Sequence, residues 1–168
     1  MKIETVGASD HRFAGALSQL VDSVATERFG RSLLAFMRAH WGIKIVAVYS
    51  FRNPGGDTRL LMGAGDVPAA LVRTNADEYV GRYAAHDPAR RAAMATARST
   101  SAVATCLNRQ ELPEPGHRDL LEESDVRDRF ACFYPGRGER WTSLHAMRSS
   151  GWGAISRREF GEMRDFSA

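Results

Sequence analysis

The residues best suited to chemistry lie in the stretch Tyr79-Val80-Gly81-Arg82-Tyr83-Ala84-Ala85-His86-Asp87-Pro88. Tyr79 and Tyr83 stand at i and i+4, so on a helix their rings share one face over a single turn. Pro88 disfavours the α conformation at Asp87 and can itself open a new helix, for which Asp87 is the N-cap. The spacing predicts a bent helix pair that gathers two phenols and one carboxylate at its joint. A carboxylate among aromatic rings is suited to anchoring a ligand amide or hydroxyl. The competing reading leaves the rings as core and Asp87 as a cap alone.

Tyr49, Phe51, Cys106, Trp141, Ser143 and Trp152 fall on predicted strands. With Tyr79, Tyr83 and Asp87 they are the candidate lining of a mainly apolar pocket between sheet and helices. Catalytic chemistry finds less support. His40, His86, His117 and His145 are scattered, and none shares a metal-ligand spacing with another His, Cys or acid. His86 adjoins Asp87, but adjacent side chains on a helix point apart. His145 alternates with Ser143 on a strand and can face a pocket, although a satisfied core histidine is the plainer reading. Cys106 and Cys132 suggest reduced, partly buried thiols rather than a disulfide framework. Glu122-Glu123 and Asp125 read as a solvated helix face. The expectation is a non-enzymatic protein without metal or cofactor.

The 168 residues bound the chain to about one domain, taken here as residues 1–168. Apolar residues make up 43% and charged ones 26%, which excludes the disordered and membrane-spanning classes. No apolar run approaches the roughly 18 residues of a spanning helix, and the N-terminus lacks a signal-peptide core. A cytoplasmic location is the default. The net charge of +3 is mild, and acids and bases alternate, as in Arg127-Asp128-Arg129. Arg90-Arg91 and Arg157-Arg158 read as solvated surface. Without a basic stripe, the chain is not expected to bind nucleic acid by itself.

These residues must be positioned by a layered fold. Phe13, Leu17, Leu20, Val21 and Val24 follow helical spacing, with Ser9 or Asp10 as cap; Phe29, Leu33, Phe36 and Met37 repeat it until Gly42. The pair of helices covers a sheet or offers one stripe to a second copy, so a homodimer is expected. Gly42 to Phe51 reads as a central strand apolar on both faces. Asn53 to Asp57 turns it into a second strand, Thr58–Ala64. Helices span Pro68–Ala85 and Ala89–Arg98, and a strand spans Ser99–Leu107. His117–Phe133 reads as helix, with Leu120, Leu121, Val126, Phe130 and Phe133 on its apolar side. Trp141–Met147 and Trp152–Ser156 read as a hairpin around Ser149-Ser150-Gly151. A last helix starts near Arg157. This order implies an α/β (α+β) protein: a five-stranded antiparallel sheet sandwiched between helices, as in GAF and PAS-like sensory folds.

Tyr83, Asp87 and Pro88 after a hairpin, together with Arg129-Phe130-Ala131-Cys132-Phe133-Tyr134-Pro135-Gly136-Arg137-Gly138-Glu139-Arg140-Trp141-Thr142-Ser143-Leu144, resemble the N-terminal sensory domain of LuxR-type transcriptional regulators. The similarity extends over most of residues 10–166. It implies a ligand-binding module that signals to a helix-turn-helix domain, which would follow beyond Ala168; the sequence is then a trimmed sensor or a stand-alone relative. DNA would be a partner only through that further domain. In the family's acyl-homoserine-lactone receptors, the aspartate matched by Asp87 accepts a hydrogen bond from the ligand amide. The positions of three further pocket aromatics are Thr74, Glu78 and Ala102 here, which implies a divergent pocket, or none. GAF-fold methionine sulfoxide reductases use a cysteine set that Cys106 and Cys132 do not reproduce. The alternative is a ligand-free dimerisation or interaction module of the same fold.

Overall fold

The computed structural model describes residues 17–52, 57–96 and 102–167. A helix, α1, is described over residues 17–22. It is followed by α2 (Phe29–Trp41), which buries Leu33, Leu34, Phe36, Met37 and Trp41. Gly42 ends α2 in the left-handed region, at φ 62°, where its N–H bonds the Arg38 carbonyl. Strands β1 (Ile43–Arg52) and β2 (Arg59–Gly65) form a hairpin. Helix α3 (Ala69–Glu78) runs into a π turn at Tyr79–Tyr83 and a 3-10 turn at Ala84–His86 before α4 (Pro88–Thr96). Then come β3 (Val103–Asn108), α5 (Pro115–Glu123), β4 (Val126–Pro135), β5 (Arg140–Ser149) and α6 (Arg157–Ser167).

The five strands form one antiparallel sheet in the order β2-β1-β5-β4-β3. One face packs against α1, α2 and α6, where Leu20, Phe36, Met37, Trp41 and Met163 meet Ile43, Val46, Phe130 and Leu144. The other face is covered by α3, the π turn, α4 and α5. Tyr49 packs there with Ala76 and Tyr79, and Phe51, Phe133 and Trp141 with Ala89 and Ala93. Each fully buried aliphatic or aromatic side chain adds about 1.5–3 kcal/mol. Cover on both faces is why β1 is apolar at odd and even positions alike.

The antiparallel α/β sandwich is as expected, but two of its strands are not where the sequence pattern put them. The helix expected over His117–Phe133 stops at Glu123. Asp125 adopts φ 53°, outside the helical region, and Val126 begins β4. The last hairpin is β4–β5, turning at residues 136–139, and not Trp141–Met147 with Trp152–Ser156. Ser150–Trp152 is a 3-10 turn followed by irregular backbone. The cause is burial of β4 on both faces, which removes the polar–apolar alternation of a half-exposed strand and leaves Arg127, Asp128 and Arg129 looking like a solvated helix face. Arg90 is also a correction: it is 4% exposed, with its guanidinium 3.9 Å above the Phe51 ring and bonded to the Arg52 and Ala84 carbonyls. Phe13 and its cap, the turn at 53–56 and the first residues of the expected third strand lie outside the described residues.

Candidate ligand site between the helical layer and the sheet

β4 supplies the residue that organises the site. Alternation along the strand sends Phe130 and Cys132 toward α2 and α6, and Arg129, Ala131 and Phe133 toward the layer of α3, α4 and α5. Asp87 reaches the same place because Pro88 breaks the chain there and starts α4. The two side chains meet under the helices, Arg129 2% and Asp87 1% exposed. Arg129 Nη1 donates to Asp87 Oδ2 and Nη2 to Oδ1, each at 2.7 Å. The Tyr79 hydroxyl donates to Oδ2 at 2.7 Å, and the Ala89 backbone N–H donates to Oδ1 at 2.9 Å. These four donors fill the about four lone-pair sites of a carboxylate. Asp87 is therefore the N-cap of α4 and the counter-ion of Arg129 at once.

Burial alone would raise the Asp87 carboxyl, but the Arg129 guanidinium and its hydrogen bonds overcome it and hold the group far below the usual carboxylate range. Burial likewise works against the charge on Arg129, and Asp87 restores it. Burial first, and then the Asp87 charge, push the Tyr79 phenol well up. Burial also raises Tyr49. His117 is pushed down to about 4 and His145 to about 3, by burial first and by the positive charge of Arg129 second. Both imidazoles are neutral at pH 7. The site holds one balanced charge pair inside neutral walls.

Beside the pair lies an interior cavity of about 30 Å³, room for a water or two. Its walls include Tyr49 from β1, Ala76 and Tyr79 from the α3 segment, His117 and Leu121 from α5, and Arg129 from β4. Tyr83 covers His117 from outside, its ring parallel to the imidazole within 8° and 4.8 Å away. The close seat depends on Gly116, where a Cβ would come 2.6 Å from the Tyr83 hydroxyl. The π turn carries both tyrosines, and such turns occur frequently at functional sites. Among the described residues, no three His, Cys, Asp or Glu side chains gather as a metal-ligand set.

Of the residues expected to line a pocket, Tyr49 and Tyr79 do so, Asp87 bonds to the wall residues Arg129 and Tyr79, and Tyr83 forms the outer cover. Ser143 is buried beneath and bonds Nε2 of His145 at 3.1 Å; the His145 ring in turn packs against Tyr49 and Tyr79. Phe51 and Trp141 stack on each other in the neighbouring apolar cluster. Cys106 pairs with Phe130 and so points to the opposite face. Trp152 is 56% exposed and lies over Gly42. Arg129 was missed as a pocket residue because Arg127-Asp128-Arg129 has the look of a solvated run. The available signal was its register with Ala131 and Phe133 in an otherwise apolar strand. His117 gave no signal beyond its residue type.

No family model matches the chain, and no curated protein matches it. Solved structures do. The LBD domain of VqsR from Pseudomonas aeruginosa superposes with a TM-score of 0.64 at 14% identity, over 95% of this chain and 90% of that one. CepR2 from Burkholderia cenocepacia, an N-acylhomoserine lactone dependent LuxR family transcription factor, gives 0.65 at 15% identity, over 92% and 88%. The GAF3 domain of Slr1393 from Synechocystis gives 0.54 at 15% identity, over 84% and 87%. With a five-stranded antiparallel sheet between two helical layers, this chain has the fold that LuxR-family sensory domains share with GAF domains.

Proposed function

We propose that the chain is the sensory module of a LuxR-type regulator: it takes up a small, partly apolar molecule between the α3–α5 layer and the sheet and relays occupancy to a DNA-binding domain. The observation that carries this reading is the buried Asp87–Arg129 pair at the wall of an apolar cavity. Such a pair contributes little to stability compared with apolar side chains of the same volume. Its use is to put polarity where a ligand sits, as in mainly apolar pockets with a few converging polar groups. Occupancy acts through differential affinity for two arrangements of the module. A cavity of about 30 Å³ supplies the closed arrangement, since any molecule larger than a few waters must move the helical layer. In this reading the chain is a cytoplasmic, non-enzymatic homodimer that meets DNA only through another domain.

The small cavity favours a second reading, a ligand-free dimerisation or interaction module of the same fold. A thermal-shift screen of small neutral and charged molecules separates the two. Hits are expected that stabilise the wild-type chain and fail to stabilise Ala76→Met, which fills the cavity from α3. Hits that act equally on both proteins, or a screen without hits, favour the second reading.

A further inference from the structure

The saturated state of Asp87 changes what the site can recognise. All of its acceptor capacity is taken by Arg129, Tyr79 and Ala89, so a ligand N–H finds no vacant carboxylate lone pair there. Arg129 is the reverse case. Two of its nitrogens serve Asp87, while its Nε–H is buried with no protein acceptor within reach among the described residues. Arg129 also forms part of the cavity wall. A buried donor on a charged group that lacks a partner is costly, and an acceptor atom placed against it recovers that cost. The remaining walls are uncharged: apolar side chains with Tyr49, Tyr79 and His117, and Asn75 and Ser124, which hydrogen-bond each other.

We propose that the module's ligand is a compact, uncharged molecule whose acceptor oxygen, a carbonyl or ether, takes the hydrogen bond of Arg129 Nε–H while Asp87 stays paired with Arg129. This rests on the interior-ligand reading given above. The charge balance sets the class. Asp87 already neutralises the guanidinium, so a carboxylate or phosphate ligand would bring an uncompensated charge into a buried, mainly apolar site. A cationic ligand has no acidic partner left. Nη1 and Nη2 each spend an N–H on Asp87, and the unpartnered Nε–H offers the next acceptor its place.

Three probes of similar size test this on the whole chain: cyclopentanone, methylenecyclopentane, which replaces the oxygen by CH₂, and cyclobutanecarboxylate. Binding is read by NMR titration of the interior methyl groups and of the arginine Nε–H resonances. Cyclopentanone is expected to bind about tenfold or more tighter than methylenecyclopentane, the worth of a hydrogen bond to a charged donor. It alone is expected to shift the Arg129 Nε–H downfield. The carboxylate is expected to bind more weakly than either. Equal affinity of ketone and hydrocarbon, with a still Nε–H, overturns the acceptor assignment and leaves the interior-ligand reading standing. Tightest binding by the carboxylate overturns the neutral class. Interior resonances unmoved by all three probes at millimolar concentration overturn the interior-ligand reading and this inference with it.

Discussion

Replacing Arg129 by Met keeps most of the side-chain volume and removes the charge. Asp87 is then left 1% exposed with two of its four donors, the Tyr79 hydroxyl and the Ala89 N–H. Breaking a buried pair in this way costs about 3–5 kcal/mol, a large share of the about 5–15 kcal/mol that holds a domain together. The cost should depend on pH in a defined sense. In the wild type the folded-state pKa of Asp87 lies below its unfolded value, so its contribution is present above about pH 4 and is lost on acidification. Without Arg129, burial raises the same carboxyl above its unfolded value. The variant then regains stability relative to wild type as pH falls and Asp87 protonates. Adding Asp87→Asn to Arg129→Met removes the stranded charge and keeps a good N-cap for α4. The double variant should therefore be more stable than Arg129→Met alone, with a coupling energy above about 2 kcal/mol. Urea unfolding followed by tryptophan fluorescence and far-ultraviolet circular dichroism measures all four proteins of the cycle: the wild type, Arg129→Met, Asp87→Asn and the double variant. A loss below about 1 kcal/mol for Arg129→Met, with coupling near zero, would show that Asp87 is not stranded as a buried charge.

His117 and His145 titrate near 4 and 3 in the folded chain, below the ordinary 6.5, so the unfolded chain binds more protons between those values. Stability should hold above about pH 6.5 and fall on acidification below it, by up to about 1.4 kcal/mol per pH unit for each histidine. His145→Gln should flatten that slope, and urea midpoints unchanged between pH 7 and pH 5 would contradict it. Gly42→Ala combines a φ of 62° with a Cβ driven into the Trp152 ring. A loss of about 1–3 kcal/mol is expected, most of it retained when Trp152 is also replaced if the backbone strain dominates. Val21 in α1 and Val24 just past its end are 61% and 58% exposed, an apolar pair suited to a second copy of the chain. Light scattering should give a dimer at high micromolar concentration, and Val21→Glu should shift it toward monomer.

The fold class was legible because β1 is apolar at both parities and the chain alternates helices with short hairpin strands. The α4 cap was legible for a local reason: Pro88 dictates the conformation of its neighbour, and the next backbone N–H needs an acceptor. β4 was not legible. Its buried Asp128 and Arg129 find their partners far away in sequence, Asn108 and Ile155 for the first and Asp87 for the second. No local pattern encodes such pairs. The same blindness hid the second half of the site. Asp87 was visible as a carboxylate seeking a donor, but the donor lies 42 residues away on a strand that resembles a helix. Arg90 gave no local sign of burial either, because its cover is the Phe51 ring and its acceptors are the Arg52 carbonyl at the end of β1 and the Ala84 carbonyl.

The most direct test of the account is a crystal structure of the chain grown with the strongest neutral compound from the thermal-shift screen. The expected result is ligand density between α3, α5 and the sheet, an acceptor atom within about 3 Å of Arg129 Nε, an intact Asp87–Arg129 pair, and a helical layer displaced outward. Density in a surface groove, or a ligand bonded to Asp87 with Arg129 turned away, would contradict it.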